Sequence, residues 1–170
     1  MAADLRELRA DDLPFLEEVV LLAVNWDRSR PPMTLDEVRI RPDLAHYLVS
    51  SIGERDGGVV AVVDGRRVGA AWWTWFSADD PGYGFVADDV PEITIGVIAE
   101  MRGKGLGRRL LTSMHQEARA RGIARLSLSV EKQNPAVELY RRAGYEIARD
   151  DETAWTMVVT LRSAPDDEPG

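Results

Sequence analysis

The chain contains no cysteine, which removes disulfide frameworks, thiolate zinc sites and any mechanism that passes through a cysteine thioester. Histidine is nearly as scarce. His46 and His115 are the only two, far apart and outside any H-E-x-x-H spacing, so no metal centre is expected. Long hydrophobic runs are also missing: the longest, such as Val19 to Val24, reach about six residues, far short of a membrane span. The N-terminal stretch M-A-A-D-L-R-E-L-R-A-D-D is charged where a signal peptide would need an apolar core, so a soluble, cytoplasmic protein is the expectation. Positive charge is in deficit, 21 Lys+Arg against 29 Asp+Glu for a formal charge of −8. That balance excludes a surface built to grip nucleic acid or a membrane, while leaving room for a local basic patch. No repeat at a solenoid period is visible.

What is present is an ordinary globular composition, 170 residues with 45% hydrophobic, enough for one packed core without staples. A single domain over residues 1–162 is expected, followed by a short, acidic, proline-rich flexible tail at 163–170. Weak alternation at residues 4–9 reads as a strand. Asp11 or Asp12 then caps a helix with Leu13, Leu16, Val19, Val20 and Ala23 on one face. Residues 25–42 are rich in charge and proline, with short helices expected near 34–38 and 43–49. Val59–Val63 and Val68–Phe76 flank Asp64-Gly65, a strong hairpin signal, and 77–92 form an acidic loop.

The second half reads as a β-α-β unit. Ile93, Ile95 and Val97 alternate as a strand, and Leu106, Leu110, Leu111, Met114 and Ala118 form a helical stripe ending near Gly122. Leu126, Leu128 and Val130 alternate with serines as a second, parallel strand. Asn134-Pro135 opens a short helix that Gly144 stops, and strands near 145–149 and 153–161 complete a mixed α/β sheet.

Between the first strand and helix of that unit lies Arg102-Gly103-Lys104-Gly105-Leu106-Gly107-Arg108-Arg109, with four positive charges, no negative one and three glycines at alternate positions. Glycines let main-chain N–H groups approach an anion closely, and the helix dipole favours a pyrophosphate there. A P-loop is excluded because G-x-x-x-x-G-K-[ST] is absent. A dinucleotide fingerprint read from Gly105 fails at its third glycine, which is Leu110, although Glu131 mimics the expected ribose carboxylate.

R-x-x-G-x-G at Arg102–Gly107, after a strand and opening a helix, resembles the acyl-CoA pyrophosphate loop of the GNAT superfamily of N-acyltransferases. The resemblance extends through N-P-x-x-x-L-Y-x-x-x-G-[FY], which starts at Asn134, about 27 residues after Gly107, and the order of upstream elements matches too. It implies the GNAT fold: a mixed central sheet of about seven strands with flanking helices and a splayed parallel strand pair at the cofactor site. It implies acetyl transfer from acetyl-CoA to a primary amine of a small molecule or peptide by direct attack in a ternary complex, without metal, and a homodimer is compatible with it. Carried over residue by residue, the loop from Arg102 through Gly103, Lys104, Gly105, Leu106 and Gly107 to Arg108 would hold the pyrophosphate. The strand around Ile95, Val97 and Ile98 would pair with the pantetheine amides, and Asn134 would hydrogen-bond the cofactor. Tyr140 would be the general acid at the departing sulfur, and Glu92, at the start of the cofactor-facing strand, the general base, with Glu100, Asp88, Asp89 or a water chain as other holders of that role.

Period two places Glu92, Thr94 and Gly96 on one strand face, with Gly96 expected to mark the irregularity that splays the strand, and an N–H near Val97 free to polarise the thioester. Trp26, Trp72, Trp73, Trp75 and Trp155, with the acidic stretch 77–92, suggest a tryptophan-lined, acid-rimmed pocket for a cationic amine with an apolar or aromatic body. Two departures from the commonest family pattern, Ala99 for a proline and Met101 for an aromatic, bear on the turn before the loop. Two other readings remain open from the residues: a non-catalytic acyl-CoA sensor, and a nucleotide-binding regulator using the same loop.

Overall fold

Asp64 and Gly65 both adopt positive φ, 50° and 78°, which matches the right-handed twist of the strands they join and folds the flanking runs back as an antiparallel pair. The structure, a computed structural model, describes residues 2–161, so the expected tail at 163–170 lies outside the described residues. In chain order the elements are β1 (Asp4–Glu7), α1 (Leu13–Val24), α2 (Leu35–Ile40), α3 (Pro42–Ala45), β2 (Gly57–Val63), β3 (Arg66–Thr74) and β4 (Glu92–Val97). After the glycine loop come α4 (Leu106–Ala120), β5 (Arg125–Glu131), α5 (Ala136–Arg142), β6 (Glu146–Asp150) and β7 (Ala154–Thr160).

The strands form one seven-stranded sheet in the order β1-β2-β3-β4-β5-β7-β6. Every neighbouring pair is antiparallel except β4 and β5, which run parallel and meet at a single register position, Glu92 opposite Ser127. Beyond that position they diverge. The expected Gly96 irregularity is not the cause: Gly96 pairs in register with Ala70. Its missing side chain instead admits α1, since a Cβ there would lie 2.8 Å from Val19 Cγ1.

Period-two alternation divides the core into two layers. Val59, Ala61, Ala71, Trp73, Leu126 and Leu128 pack with α4, while Val60, Ala70 and Trp72 pack with Phe15, Leu16, Val19 and Val20 of α1. Leu110, Leu111 and Met114 of α4 are essentially inaccessible, as their helical stripe requires, each contributing on the order of 2 kcal/mol of burial. Asp12 is not the side-chain cap expected for α1. Its fully buried carboxylate accepts from Arg6 at 2.8 Å, from Arg67 at 2.6 Å and from the Arg9 N–H at 2.8 Å, tying β1, the α1 start and β3 together. Burial alone would raise its pKa, but the hydrogen bonds from Arg6 and Arg67 bring it down to about 2. Among the described residues no helix is long and apolar enough to cross a membrane.

Candidate active site

The divergence of β4 and β5 opens a cavity of about 470 Å³ that passes through the sheet. Val20 and Val24 of α1 line it from one layer and Tyr140 of α5 from the other, with Glu92, Ile95, Ser129 and Asn134 along the opening. Two ligands can therefore meet in it from opposite faces.

Main-chain groups face this gap because of ladder alternation. The Ile98 N–H donates to Val68 O at 2.9 Å, so the groups of Gly96, Thr94 and Glu92 also point towards β3, and those of Val97, Ile95 and Ile93 towards β5. With β5 swung away, the amides of Ile95 and Val97 have no paired strand opposite them. Ile98 is different: its N–H is used by Val68 and its carbonyl by the Met101 N–H, which leaves both groups of Ile95 and the N–H of Val97, whose carbonyl accepts from Arg102 Nε, to face an extended ligand.

At the end of β4, residues 99–101 make a single 3₁₀ turn closed by Met101 N–H to Ile98 O and Arg102 N–H to Ala99 O, so the turn forms with alanine where a proline is common. Gly103 and Gly105 then take φ of 72° and 79°, and a Cβ at either would meet nothing within 4 Å. The left-handed backbone is what glycine permits, and the open space above it leaves the main chain approachable. Among the described residues, the N–H groups of Gly103, Lys104, Gly105, Leu106, Gly107 and Arg108 donate to no backbone carbonyl. They form the amide cradle a pyrophosphate needs at the start of α4. The four basic side chains divide their work: Arg102 Nε is tied to Val97 O at 3.2 Å and Arg109 to Ala3 O at 2.8 Å, while Lys104 and Arg108 stay exposed beside the cradle.

Glu92, at the first position of β4, is 4% exposed. Its Oε1 accepts the Tyr47 hydroxyl at 2.7 Å, and Oε2 has no hydrogen-bond partner. Burial pushes its pKa up to about 7; the Tyr47 hydroxyl, the nearby Gly84 amide and the charges of His46 and Arg149 pull in the other direction without prevailing. A carboxyl poised there exchanges a proton at neutral pH. Glu100 is exposed beside Arg66, and Asp88 and Asp89 lie on the exposed loop, so none of the three shares the cavity with Glu92. Tyr140 is 9% exposed, packed edge-on to Tyr145, and its hydroxyl has no partner among the described residues. Burial raises its pKa to about 12, so it stays protonated across the working range. Asn134 spends Oδ1 on the Ala136 N–H at 2.9 Å, leaving its amide nitrogen as a donor at the cavity wall.

Residues 3–145 match the sequence profile described as the Acetyltransferase (GNAT) family. The chain belongs to the GNAT acetyltransferase family. It is 36% identical over 83 residues to a mycothiol acetyltransferase of Corynebacterium aurimucosum, a match covering 48% of this chain and 25% of that protein, so the aligned part is about a quarter of the relative's length. Its fold is similar to that of yncA of Salmonella typhimurium, a putative acetyltransferase solved with acetyl-CoA (TM-score 0.64, 22% identity, 98% of this chain and 99% of the other). It is also similar to that of the PaiA N-acetyltransferase of Thermoplasma acidophilum in complex with coenzyme A (TM-score 0.66, 17% identity, 94% and 99%).

Within this GNAT domain tryptophans divide between two cavities: Trp72, Trp73 and Trp75 line a separate one of about 210 Å³ with His46 and Asp56, which does not include Glu92. Trp72 and Trp73 are each 1% exposed core residues, and Trp75 hydrogen-bonds Arg55 O and carries the Arg55 guanidinium 4.1 Å over its ring. Trp26 alone of the five lines the cavity of Glu92, joined by Tyr47 and Tyr83, whose rings lie nearly parallel with centroids 6.1 Å apart. Nothing in the local sequence singled these tyrosines out, because they sit in irregular segments and meet only across the fold. Glu131, considered above as a ribose carboxylate, is instead held by Arg30 through two hydrogen bonds of 2.9 and 2.6 Å across the cavity mouth. His115 is buried against the Tyr145 hydroxyl at 2.9 Å, and its pKa falls to about 4 because burial disfavours its charge.

Proposed function

We propose that this GNAT domain transfers an acetyl group from acetyl-CoA to a primary amine of a small molecule or peptide by direct attack in a ternary complex. The observation that carries the reading is the single cavity through the split sheet, which brings Tyr140, Asn134 and Glu92 together between two layers. The amides of 103–108, flanked by Lys104 and Arg108, fit the pyrophosphate, and the outward groups of Ile95 fit a pantetheine amide, with the Val97 N–H beside them facing the thioester end. Acetyl-CoA would supply the acetyl group as an activated thioester. Glu92 takes the proton that the acceptor ammonium must lose before its lone pair is available. The Val97 N–H, turned into the gap, would donate to the thioester oxygen as it gains charge, the role of an oxyanion donor. Tyr140 gives its proton at the departing sulfur; the dry surroundings that raise its pKa raise a thiolate's proton affinity too, keeping the transfer balanced. Tyr47, Tyr83 and Trp26 around an acidic group suit a cationic amine with an apolar or aromatic body, because Arg30 and Arg41 are already matched by Glu131 and Asp43.

The test separates chemistry from binding. Tyr140→Phe is expected to lower kcat about 100-fold while the acetyl-CoA Kd by calorimetry stays within about twofold. Loss of both together, or titration heat from ATP or NAD in place of acetyl-CoA, would contradict the reading.

A further inference from the structure

Glu92 shares the cavity wall with Tyr47, but neither of its carboxylate oxygens is free there. Oε2 is unpartnered and sealed under the loop, where a Cβ on Gly82 would come within 2.1 Å of it, and Oε1 is covered by the Tyr47 hydroxyl. Tyr47 lines the same cavity and carries the hydroxyl that covers Oε1. The direction of its hydroxyl hydrogen follows from its partners. Its oxygen accepts the Tyr83 N–H at 2.7 Å, a group that only donates, and the ionised carboxylate at 2.7 Å only accepts, so the O–H points at Glu92 Oε1. One lone pair of the Tyr47 oxygen is left for a donor arriving from the cavity.

We propose that Tyr47 is a catalytic proton relay, the port through which Glu92 takes the proton of the acceptor amine. This rests on the reading of Glu92 as the general base. In the step, an ammonium N–H bond breaks and its proton joins the Tyr47 oxygen as Tyr47's own proton crosses to Glu92 Oε1. A cation and a carboxylate become a neutral amine and a carboxylic acid, and the tyrosine is restored. No tyrosinate forms, which matters because burial pushes the Tyr47 phenol well above its ordinary pKa. The ring is held for this by contacts at 4.8 Å to His46, 5.1 Å to Phe76 and 6.1 Å to Tyr83.

Other groups face the pair from every side. His46 holds Asp80 at 2.9 Å through Nδ1; Arg149 reaches over from β6 to the Tyr83 and Phe85 carbonyls; and the Tyr83 hydroxyl binds Asp43, itself paired with Arg41. Thr74 and Ser127 flank Glu92 in register, and the hydroxyls of both lack partners. Among these neighbours only Tyr47 both touches Oε1 and lines the cavity.

The experiment measures kcat/KM against pH for the wild type, Tyr47→Phe, Glu92→Gln and the double variant. Tyr47→Phe keeps the ring stack and deletes only the hydroxyl. It is expected to lower the plateau about 100-fold and to move the residual rise to higher pH, since Glu92 loses a donor to its charged form. Glu92→Gln is expected to remove the rise near pH 7, and the double variant to be no more than about twofold slower than the slower single, as two members of one relay require. Penalties that multiply, or a wild-type plateau in Tyr47→Phe, overturn the relay. A Glu92→Gln enzyme with rate and pH rise intact overturns the base assignment itself, so the two failures are distinct. As a second variant, 3-fluorotyrosine at position 47 keeps shape and hydroxyl but donates more strongly; the rise is expected to move to lower pH, and an unmoved rise overturns the proposal.

Discussion

At the scale of single residues, Glu92 shows how position rather than type sets chemistry. The chain has 29 Asp and Glu, and most are solvated, yet the one at the first residue of β4 is pressed between Thr74 and Ser127 under the Gly82 loop. Its folded pKa of about 7 lies above the ordinary 4.5, so the native state holds the proton more tightly than the unfolded chain. By linkage, stability from this group is complete below pH 4.5 and is lost as pH rises through 7, by an amount on the order of 3 kcal/mol. Glu92→Gln, neutral at every pH, is therefore expected to raise stability by about 3 kcal/mol at pH 8 and by no more than about 1 kcal/mol at pH 5, while the enzyme loses activity. Urea denaturation at the two pH values checks this; equal shifts at both would show that charge burial is not the cause.

Among elements, the junction of β4 and α4 couples a local backbone rule to the cofactor-binding role proposed for it. Gly103 and Gly105 are left-handed, at 72° and 79°, and face open space, so a side chain there pays twice, in backbone strain and in lost room for the ligand. Gly105→Val is expected to weaken acetyl-CoA binding at least about tenfold by calorimetry while kcat at saturation falls no more than about twofold, the reverse of Tyr140→Phe. This junction was legible because its signals are local: a strand period, then glycines, then a helical stripe on Leu106, Leu110 and Met114. Residues 25–56 were legible only in part. The short helix expected near 34–38 is α2, which the structure shows closed by a Thr34–Glu37 capping box, but the helix expected at 43–49 is the four-residue α3, and the turns after it carry Tyr47. Propensity has little to say about such a segment, since its conformation is set by packing against β3 and the 77–91 loop.

For the whole molecule, the two buried carboxylates bound the stability curve from opposite sides. Asp12, folded pKa about 2 against 3.8, stabilises above pH 3.8 and loses that contribution as pH falls through 2, whereas Glu92 costs stability above neutrality. Asp12→Asn is expected to remove about 2 kcal/mol at pH 6 and little at pH 2, read from melting curves across that range. The sheet itself is continuous from β1 to β4 and from β5 to β6, joined by one pairing at Glu92 and Ser127, and the cavity exists because the halves meet only there. By itself the sequence determined the strand and helix order, the hairpin at Asp64-Gly65, the glycine loop before α4 and the helix bearing Tyr140, because each is written in neighbouring residues as period, turn chemistry or capping. Only the tertiary structure decided which carboxylate is buried, that Tyr47 and Tyr83 join Trp26 around the cavity, and that the Tyr47 hydroxyl bonds Glu92. Those facts are distances between residues 36 to 45 positions apart in the chain, and burial and hydrogen bonding across such spans arise only when the layers close on one another.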